Sequence, residues 1–431
     1  MISDNVSINA AGHLTFAGRD TVALAQKYGT PLYLMDEEMI RARIRVYKQA
    51  MADFFPAGST PEYASKAFCC KRIYEIVAEE GIHVDAVSLG ELFTAQKAGF
   101  PMEKCFFHGS NKTDGEIAYA LEHGVGRFVV DNEDELDALN RLALEKGVCQ
   151  PILLRVTPGI DPHTHKKIST GSVESKFGIA IQTGQALATV RKILTLKGVA
   201  LQGFHCHIGS QIFVSSPFGT AAELMLAFLD EVRAEIGYTA EYLNLGGGFG
   251  VRYVESDPVI DYRERIREVS VALTDLCRQY RYPMPKILME PGRSLVADAG
   301  MTLYTVGGVK EIIGHQNYVS IDGGMTDNPR YTLYEADYTV LNASRADQTP
   351  DFTATVAGRC CESGDLIQEN VRLKKPQRGD ILAVLTTGAY NYSMASNYNR
   401  VGRPPVVMLD AEKDYVAVRR ETVEDLVQYD V

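Results

Sequence analysis

The stretch Glu241-Tyr-Leu-Asn-Leu-Gly-Gly-Gly-Phe-Gly250 decides between two folds. It reads as a short strand running into a glycine-rich turn, and its place in the chain matters more than its composition. Strand-like apolar runs precede and follow it: PEYASK (61–66), IHVDAVS (82–88), KCFFHGS (104–110), GRFVVDN (126–132), PILLRV (151–156), LQGFHCHIGS (201–210) and PKILMEPG (285–292). With EYLNLGGG (241–248) they number eight. Most are separated by stretches with apolar residues at three- and four-residue spacing, such as KRIYEIVAEEG and EDELDALNRLALEKG. A doubly wound open sheet places its glycine-rich turn after the first strand. Here the run follows the seventh, where a (β/α)8 barrel binds phosphate. The rhythm therefore predicts an α/β chain built on a TIM barrel.

Past Arg293 the rhythm stops. MTLYTVGGV, NYVSIDGGM, DYTVLNA, FTATVAGRC, DILAVLTT, PPVVMLD and YVAVRRE follow without long helices between them. They predict a second, β-rich domain of sandwich or barrel type. The opening strands, around NVSINAAGHLTFAG and TPLYLMD, are expected to join it, since nothing else would cover their edges. The predicted division is 36–285 for the barrel, with 1–35 and 286–431 forming the β-rich domain.

Bulk properties narrow the function. The 431 residues carry 44 basic and 55 acidic side chains, a net charge of -11 that argues against nucleic acid as a partner. No apolar run approaches the length of a membrane span. The opening MISDNVSINAAGHL lacks the basic and apolar regions of a secretory signal. Eight cysteines occur without a Cys-x-x-Cys spacing, so a reduced cytoplasmic protein is expected.

Barrel enzymes carry their chemistry at the C-terminal ends of the strands. The unusual polar residues fall there: Lys66; Asp85 and Ser88; His108 and Asn111; Arg155; His205, His207 and Ser210; Gly246, Gly247 and Gly248; Glu290 and Arg293. Each has a plainer reading. A strand-end lysine alone is a solvated charge, the glycines a tight turn, and Glu290 with Arg293 an ion pair. His205-Cys-His207 raises a metal, but no second cluster of His and Asp completes a ligand set, and His163-Thr-His165 falls in a long loop. No metal is expected.

Taken together the residues suit pyridoxal 5'-phosphate. That cofactor needs an amine for its aldehyde, an anion site, a partner for its ring nitrogen and a flat group against its ring. Lys66, the glycines, Glu290 and one histidine of the sixth strand supply these.

Further motifs carry a resemblance: YASKA (63–67), HTHKKISTG (163–171), SKFG (175–178), GFHCHIGSQ (203–211), LGGGFG (245–250), EPGR (290–293), DGGMTDNPR (322–330), CESGD (361–365) and GAYNYSMASNYN (388–399). Over nearly its whole length the chain resembles the diaminopimelate decarboxylase family, in the alanine-racemase-like class of pyridoxal-phosphate enzymes. The resemblance implies that Lys66 holds the cofactor and that His207 stacks on its ring, with Asp85 and Ser210 nearby. Gly247, Gly248, Glu290, Gly292, Arg293 and Tyr390 are implied in cofactor binding. Arg293, Arg330, Tyr334, Glu362 and Tyr390 are implied in binding an amino-acid substrate, and Cys361 in donating a proton. The family places Cys361 and Glu362 in the partner subunit's site, which implies a homodimer with shared active sites. The implied reaction takes meso-2,6-diaminopimelate to L-lysine and carbon dioxide. Rival readings are a decarboxylase for carboxynorspermidine, arginine or ornithine, a non-catalytic paralogue, and a metal hydrolase. The chain departs from the family's usual pattern at Phe68, where asparagine is common, and at Leu89 in Ser88-Leu-Gly-Glu91.

Overall fold

A computed structural model of the chain describes residues 2–159 and 175–431. The motif at 163–171, with His163 and His165, lies outside them. Contacts divide the chain into two units: residues 43–250 with 260–292, and residues 1–42, 251–259 and 293–431.

In the first unit eight parallel strands close on themselves. They are Thr60–Ala64, His83–Ala86, Cys105–Phe107, Arg127–Val130, Gln150–Thr157, Val199–His205, Tyr242–Asn244 and Lys286–Met289. Closure is made by the eighth against the first, with Leu288 opposite Thr60 and Met289 opposite Pro61. A short extra strand, Ile179–Ala180, pairs with the fifth. Phe106, Val129, Leu153 and Leu288, from four of the strands, pack together as one buried apolar cluster. Helices follow most of the strands, with their N-termini capped by side chains such as Ser88, Thr113, Asn132 and Asp261.

All eight predicted runs are strands, but most of the strands stop sooner than the runs. Lys66 and His207 lie beyond their strands, in the turns that follow. The predicted boundary at 285 also moves. Lys286–Met289 pairs with the seventh and first strands, so it belongs to the barrel and not to the β-rich domain.

The second unit is mostly β. One path of strands runs Leu366–Leu373, Phe352–Ala357, Tyr318–Ile321, Gly300–Lys310, Leu32–Asp36, Val406–Leu409 and Asp414–Val418. Ile381–Leu385 pairs with the near half of Gly300–Lys310 and with Val340–Asn342. The far half pairs with Tyr318–Ile321 across a register shift between Val306 and Gly308, where two glycines let the strand bend. Leu14, Phe16, Leu32, Leu34, Met301, Leu303, Ala383, Leu385, Val407 and Leu409 form the core. The opening strands Val6–Ile8, Leu14–Phe16 and Arg19–Asp20 make a small antiparallel sheet in this unit. Leu366–Leu373 went unpredicted, because LIQENVRL interleaves polar residues with its apolar ones. Among the described residues no helix is long and apolar enough to cross a membrane.

Candidate active site

The first barrel strand ends at Ala64, and Ser65–Ala67 forms one tight 3-10 turn that carries Lys66. Several contacts fix that turn. The Ala64 N–H donates to the Pro291 carbonyl at 3.1 Å. The Tyr63 hydroxyl donates to the Phe68 carbonyl at 2.7 Å. The Ser65 hydroxyl lies 2.8 Å from both the Asp85 carbonyl and Glu91 Oε2. Glu91 also accepts from the Val87 N–H at 2.7 Å, which ties the lysine turn to the end of the second strand. Gly292 packs on the same turn: a Cβ there would stand 3.0 Å from the Ala64 Cβ and 3.1 Å from that of Ala67. Phe68, one departure from the family pattern, is buried at the end of this turn. Leu89, the other departure, is exposed at the start of a helix.

Lys66 faces a cavity of about 420 Å³, a size suited to a small organic molecule. Asp85, His108, Asn111, Arg155, Phe177, His205, His207 and Glu290 line it too. Of the residues predicted to bind the cofactor, the cavity wall thus brings together Lys66, Asp85, His207 and Glu290. His108, Asn111, Arg155 and His205 were visible as strand-end polar groups but had been given no role.

The two buried carboxyls of this wall are driven apart. Burial pushes Asp85 up to about 8, with the Lys66 ammonium opposing and Glu290 reinforcing the rise. Burial would raise Glu290 as well, but the imidazoles of His205 and His108 beside it outweigh burial and hold it well below the usual range. His205 Nε2 is 2.9 Å and His108 Nε2 3.4 Å from Glu290 Oε1. Burial lowers all three histidines below the ordinary imidazole value, and the Glu290 carboxylate opposes that fall. For His207 a second feature agrees: its Nδ1 accepts the Gly247 N–H at 3.2 Å and therefore carries no proton.

The glycine run is built for close approach. Asn244 Oδ1 accepts the Gly246 N–H at 2.8 Å, and Gly246 takes φ +69°. A Cβ on Gly246 would meet His207 Nδ1 at 2.6 Å, and one on Gly247 the Glu290 carbonyl at 2.1 Å. On Gly248, at φ +124°, it would meet the Gly209 carbonyl at 2.6 Å. Side chains here would fill the space and distort the backbone. Ser210 lies in the loop that supplies Gly209.

In the β-rich unit Arg293 and Arg330 gather on Tyr253, which sequence reasoning missed. Arg293 Nη1 donates to the Tyr253 hydroxyl at 2.6 Å, and the Arg330 guanidinium lies 3.7 Å from the centre of its ring. The Arg293 guanidinium is also 4.7 Å from the ring of Tyr390, whose backbone sits at φ +60°. Tyr334 closes the short helix Arg330–Tyr334. Cys361 and Glu362 are exposed, in a turn anchored by buried Asp365. Asp365 accepts from the N–H groups of Met325 at 2.6 Å and Cys360 at 2.7 Å, joining the DGGMTDN and CESGD motifs.

The cavity fits pyridoxal phosphate. Glu290 Oε1 is buried, and neither nearby imidazole is aligned to donate to it, which leaves an ionised acceptor for a ring N–H. An amine faces the same cavity, a neutral imidazole is fixed at its wall, and a glycine cradle adjoins that imidazole. His108, His205 and Glu290 also offer ligand atoms within 4.8 Å of one another, as a metal would need. A metal would leave the amine and the cradle without a task.

Comparison with known proteins agrees. The family described as "Pyridoxal-dependent decarboxylase, pyridoxal binding domain" matches residues 37–297. Diaminopimelate decarboxylase of Bacillus subtilis (strain 168) is 46% identical over 425 residues, covering 98% of this chain and 96% of its own. That of Staphylococcus aureus (strain COL) is 43% identical over 423 residues, covering 98% of each chain. Among solved structures, diaminopimelate decarboxylase from M. jannaschii in complex with L-lysine superposes with a TM-score of 0.91 at 35% identity, over 99% of this chain and 98% of that one. A lysine/ornithine decarboxylase from Vibrio vulnificus, complexed with putrescine, reaches 0.75 at 25% identity, over 90% of this chain and 96% of its own.

Proposed function

The chain belongs to the pyridoxal-dependent decarboxylases, and we propose that within that family it converts meso-2,6-diaminopimelate to L-lysine and carbon dioxide. Its cofactor is pyridoxal 5'-phosphate. Lys66 would hold the aldehyde end, Glu290 the ring nitrogen, His207 the ring face and the Gly246–Gly248 cradle the phosphate, with Asp85, Ser210 and Gly292 shaping the surroundings. When bound, the cofactor supplies the electron sink that receives the pair left behind as carbon dioxide departs.

The protein's own groups do the rest. Ionised Glu290 keeps a proton on the nitrogen it faces. His205 and His108, beside that carboxylate, favour its ionised form. The thiol of Cys361 gives a proton to the substrate carbon that has lost its carboxylate. Glu362 takes the distal ammonium, while Arg293 and Arg330 take the distal carboxylate, with Tyr334 and Tyr390 beside them.

One observation carries the choice of substrate. Among the described residues no carboxylate pairs with Arg330, and its buried Nε has no hydrogen-bond partner. Such a guanidinium suits a substrate that brings a carboxylate. Ornithine has no second carboxylate to offer. Purified protein should turn over meso-diaminopimelate at least about tenfold better by kcat/KM than ornithine or arginine, the discrimination expected when a buried charge is left unmatched. Equal or better use of ornithine overturns the reading.

The functional unit is a homodimer in which Cys361 and Glu362 serve the partner's site. Their exposure on the isolated chain supports this. A cytoplasmic location is supported by eight free cysteines and by the absence of a membrane-length helix among the described residues.

A further inference from the structure

Tyr253 lies in a segment, Val251–Val259, that follows the glycine run yet belongs to the β-rich unit. The segment is neither strand nor helix, and side chains fix it. Asp257 Oδ2 accepts the Tyr253 N–H at 2.9 Å and the Val254 N–H at 3.2 Å. The Thr339 hydroxyl donates to the Tyr253 carbonyl at 2.8 Å. The ring is 1% exposed and meets Tyr338 edge-on, centroids 5.8 Å apart at 66°. Tyr338 is held in turn, its hydroxyl 3.2 Å from Asn391 Oδ1.

A tyrosine immobilised in this way can place two cations at once. Its hydroxyl oxygen accepts from Arg293, and its π face carries Arg330 at 3.7 Å. The two guanidinium groups repel each other, and neither would choose this arrangement unaided. One rigid ring offers a separate seat to each, a charge-assisted hydrogen bond for one and a cation–π contact for the other. The hydroxyl and ring of a tyrosine carry no formal charge, so neither seat brings a carboxylate to its guanidinium.

We propose that Tyr253 is the positioning residue that gives this enzyme its requirement for a substrate carboxylate, by seating Arg293 on its hydroxyl and Arg330 on its ring. The proposal rests on the diaminopimelate reading, because it is that substrate's distal carboxylate the two arginines would receive. It also separates two contributions. Tyr253→Phe removes the seat of Arg293 and keeps that of Arg330; Tyr253→Leu removes both.

The test uses the holoenzyme and two competing ligands. L-Lysine carries the distal carboxylate; cadaverine has the same carbon chain and amines without it. Tyr253→Phe should raise KM for meso-diaminopimelate and Ki for L-lysine about tenfold, the cost of one hydrogen bond to a charged group, while kcat falls less than about threefold. Ki for cadaverine should move less than about twofold, since that ligand never met the arginines. Tyr253→Leu should weaken L-lysine further and leave cadaverine where it was. Should Tyr253→Leu fail to fold, Tyr253→Phe decides alone. Parallel weakening of both ligands would mean a structural role and overturn the proposal, as would no change in either. A wild-type enzyme that ignores meso-diaminopimelate is a different failure, which contradicts the functional reading itself.

Discussion

His205 Nε2 stands 2.9 Å from Glu290 Oε1, with both side chains almost sealed from solvent. The contact is close yet poorly aligned for a hydrogen bond, so the carboxylate keeps an acceptor site, the one we propose for the cofactor's ring nitrogen. Glu290→Gln preserves shape and removes the charge. Turnover should fall on the order of 10²–10⁴-fold, as for loss of a group that governs a proton in the transition state. The cofactor's visible absorbance should persist. Unchanged turnover would show that Glu290 does not set the ring's protonation.

Asp85 predicts a pH-dependent stability. Its carboxyl is raised to about 8, so the folded state holds a proton that the unfolded state has released. Stability is therefore lost as pH climbs from the usual carboxylate range to about 8. In protein stripped of cofactor, Asp85→Asn should leave Tm nearly unchanged at about pH 3–4 and raise it by several degrees at about pH 9. A Tm difference that stays flat across this range would place the Asp85 pKa in the normal range.

Lys112 should matter for stability more than for chemistry. Its ammonium donates to the Gly109 carbonyl at 3.0 Å, the Val129 carbonyl at 2.8 Å and Glu135 Oε1 at 2.8 Å, which uses all three protons. Burial opposes the charge on both partners. Lys112→Met strands a buried carboxylate and should cost about 3–5 kcal/mol in urea unfolding. Adding Glu135→Leu should recover part of that loss. No recovery in the double variant would mean that the carbonyl contacts, and not the ion pair, set the cost.

These cases mark what the sequence shows and hides. The barrel was legible because strands buried on both faces read as near-continuous apolar runs. The barrel's end at Gly292 was not, since Lys286–Met289 has the same apolar character as the β-rich runs beyond it; only its pairing partners assign it. Lys66, Asp85, His207 and Glu290 stood out as polar residues at strand ends, and the cavity gathers all four. Lys112 did not, because a lysine in a polar loop looks solvated until its three acceptors are seen. Tyr253 was hidden for a related reason: an aromatic in an irregular segment has no period, and its meaning lies in two arginines distant in sequence.

The proposed dimer makes its own prediction. Lys66→Ala and Cys361→Ala should each be nearly inactive alone. Mixed after reversible dissociation, they should regain up to about a quarter of wild-type activity, the share expected when a random half of the dimers carries one intact composite site. If the mixture stays inactive although hybrid dimers form, the sites are not shared.

Covalent attachment at Lys66 is the most direct test. The purified protein, reduced with borohydride and digested, should yield a peptide spanning Lys66 that carries one pyridoxyl-phosphate mass, and Lys66→Ala should yield none. A label on another lysine, or none on wild-type protein supplied with the cofactor, would contradict the account.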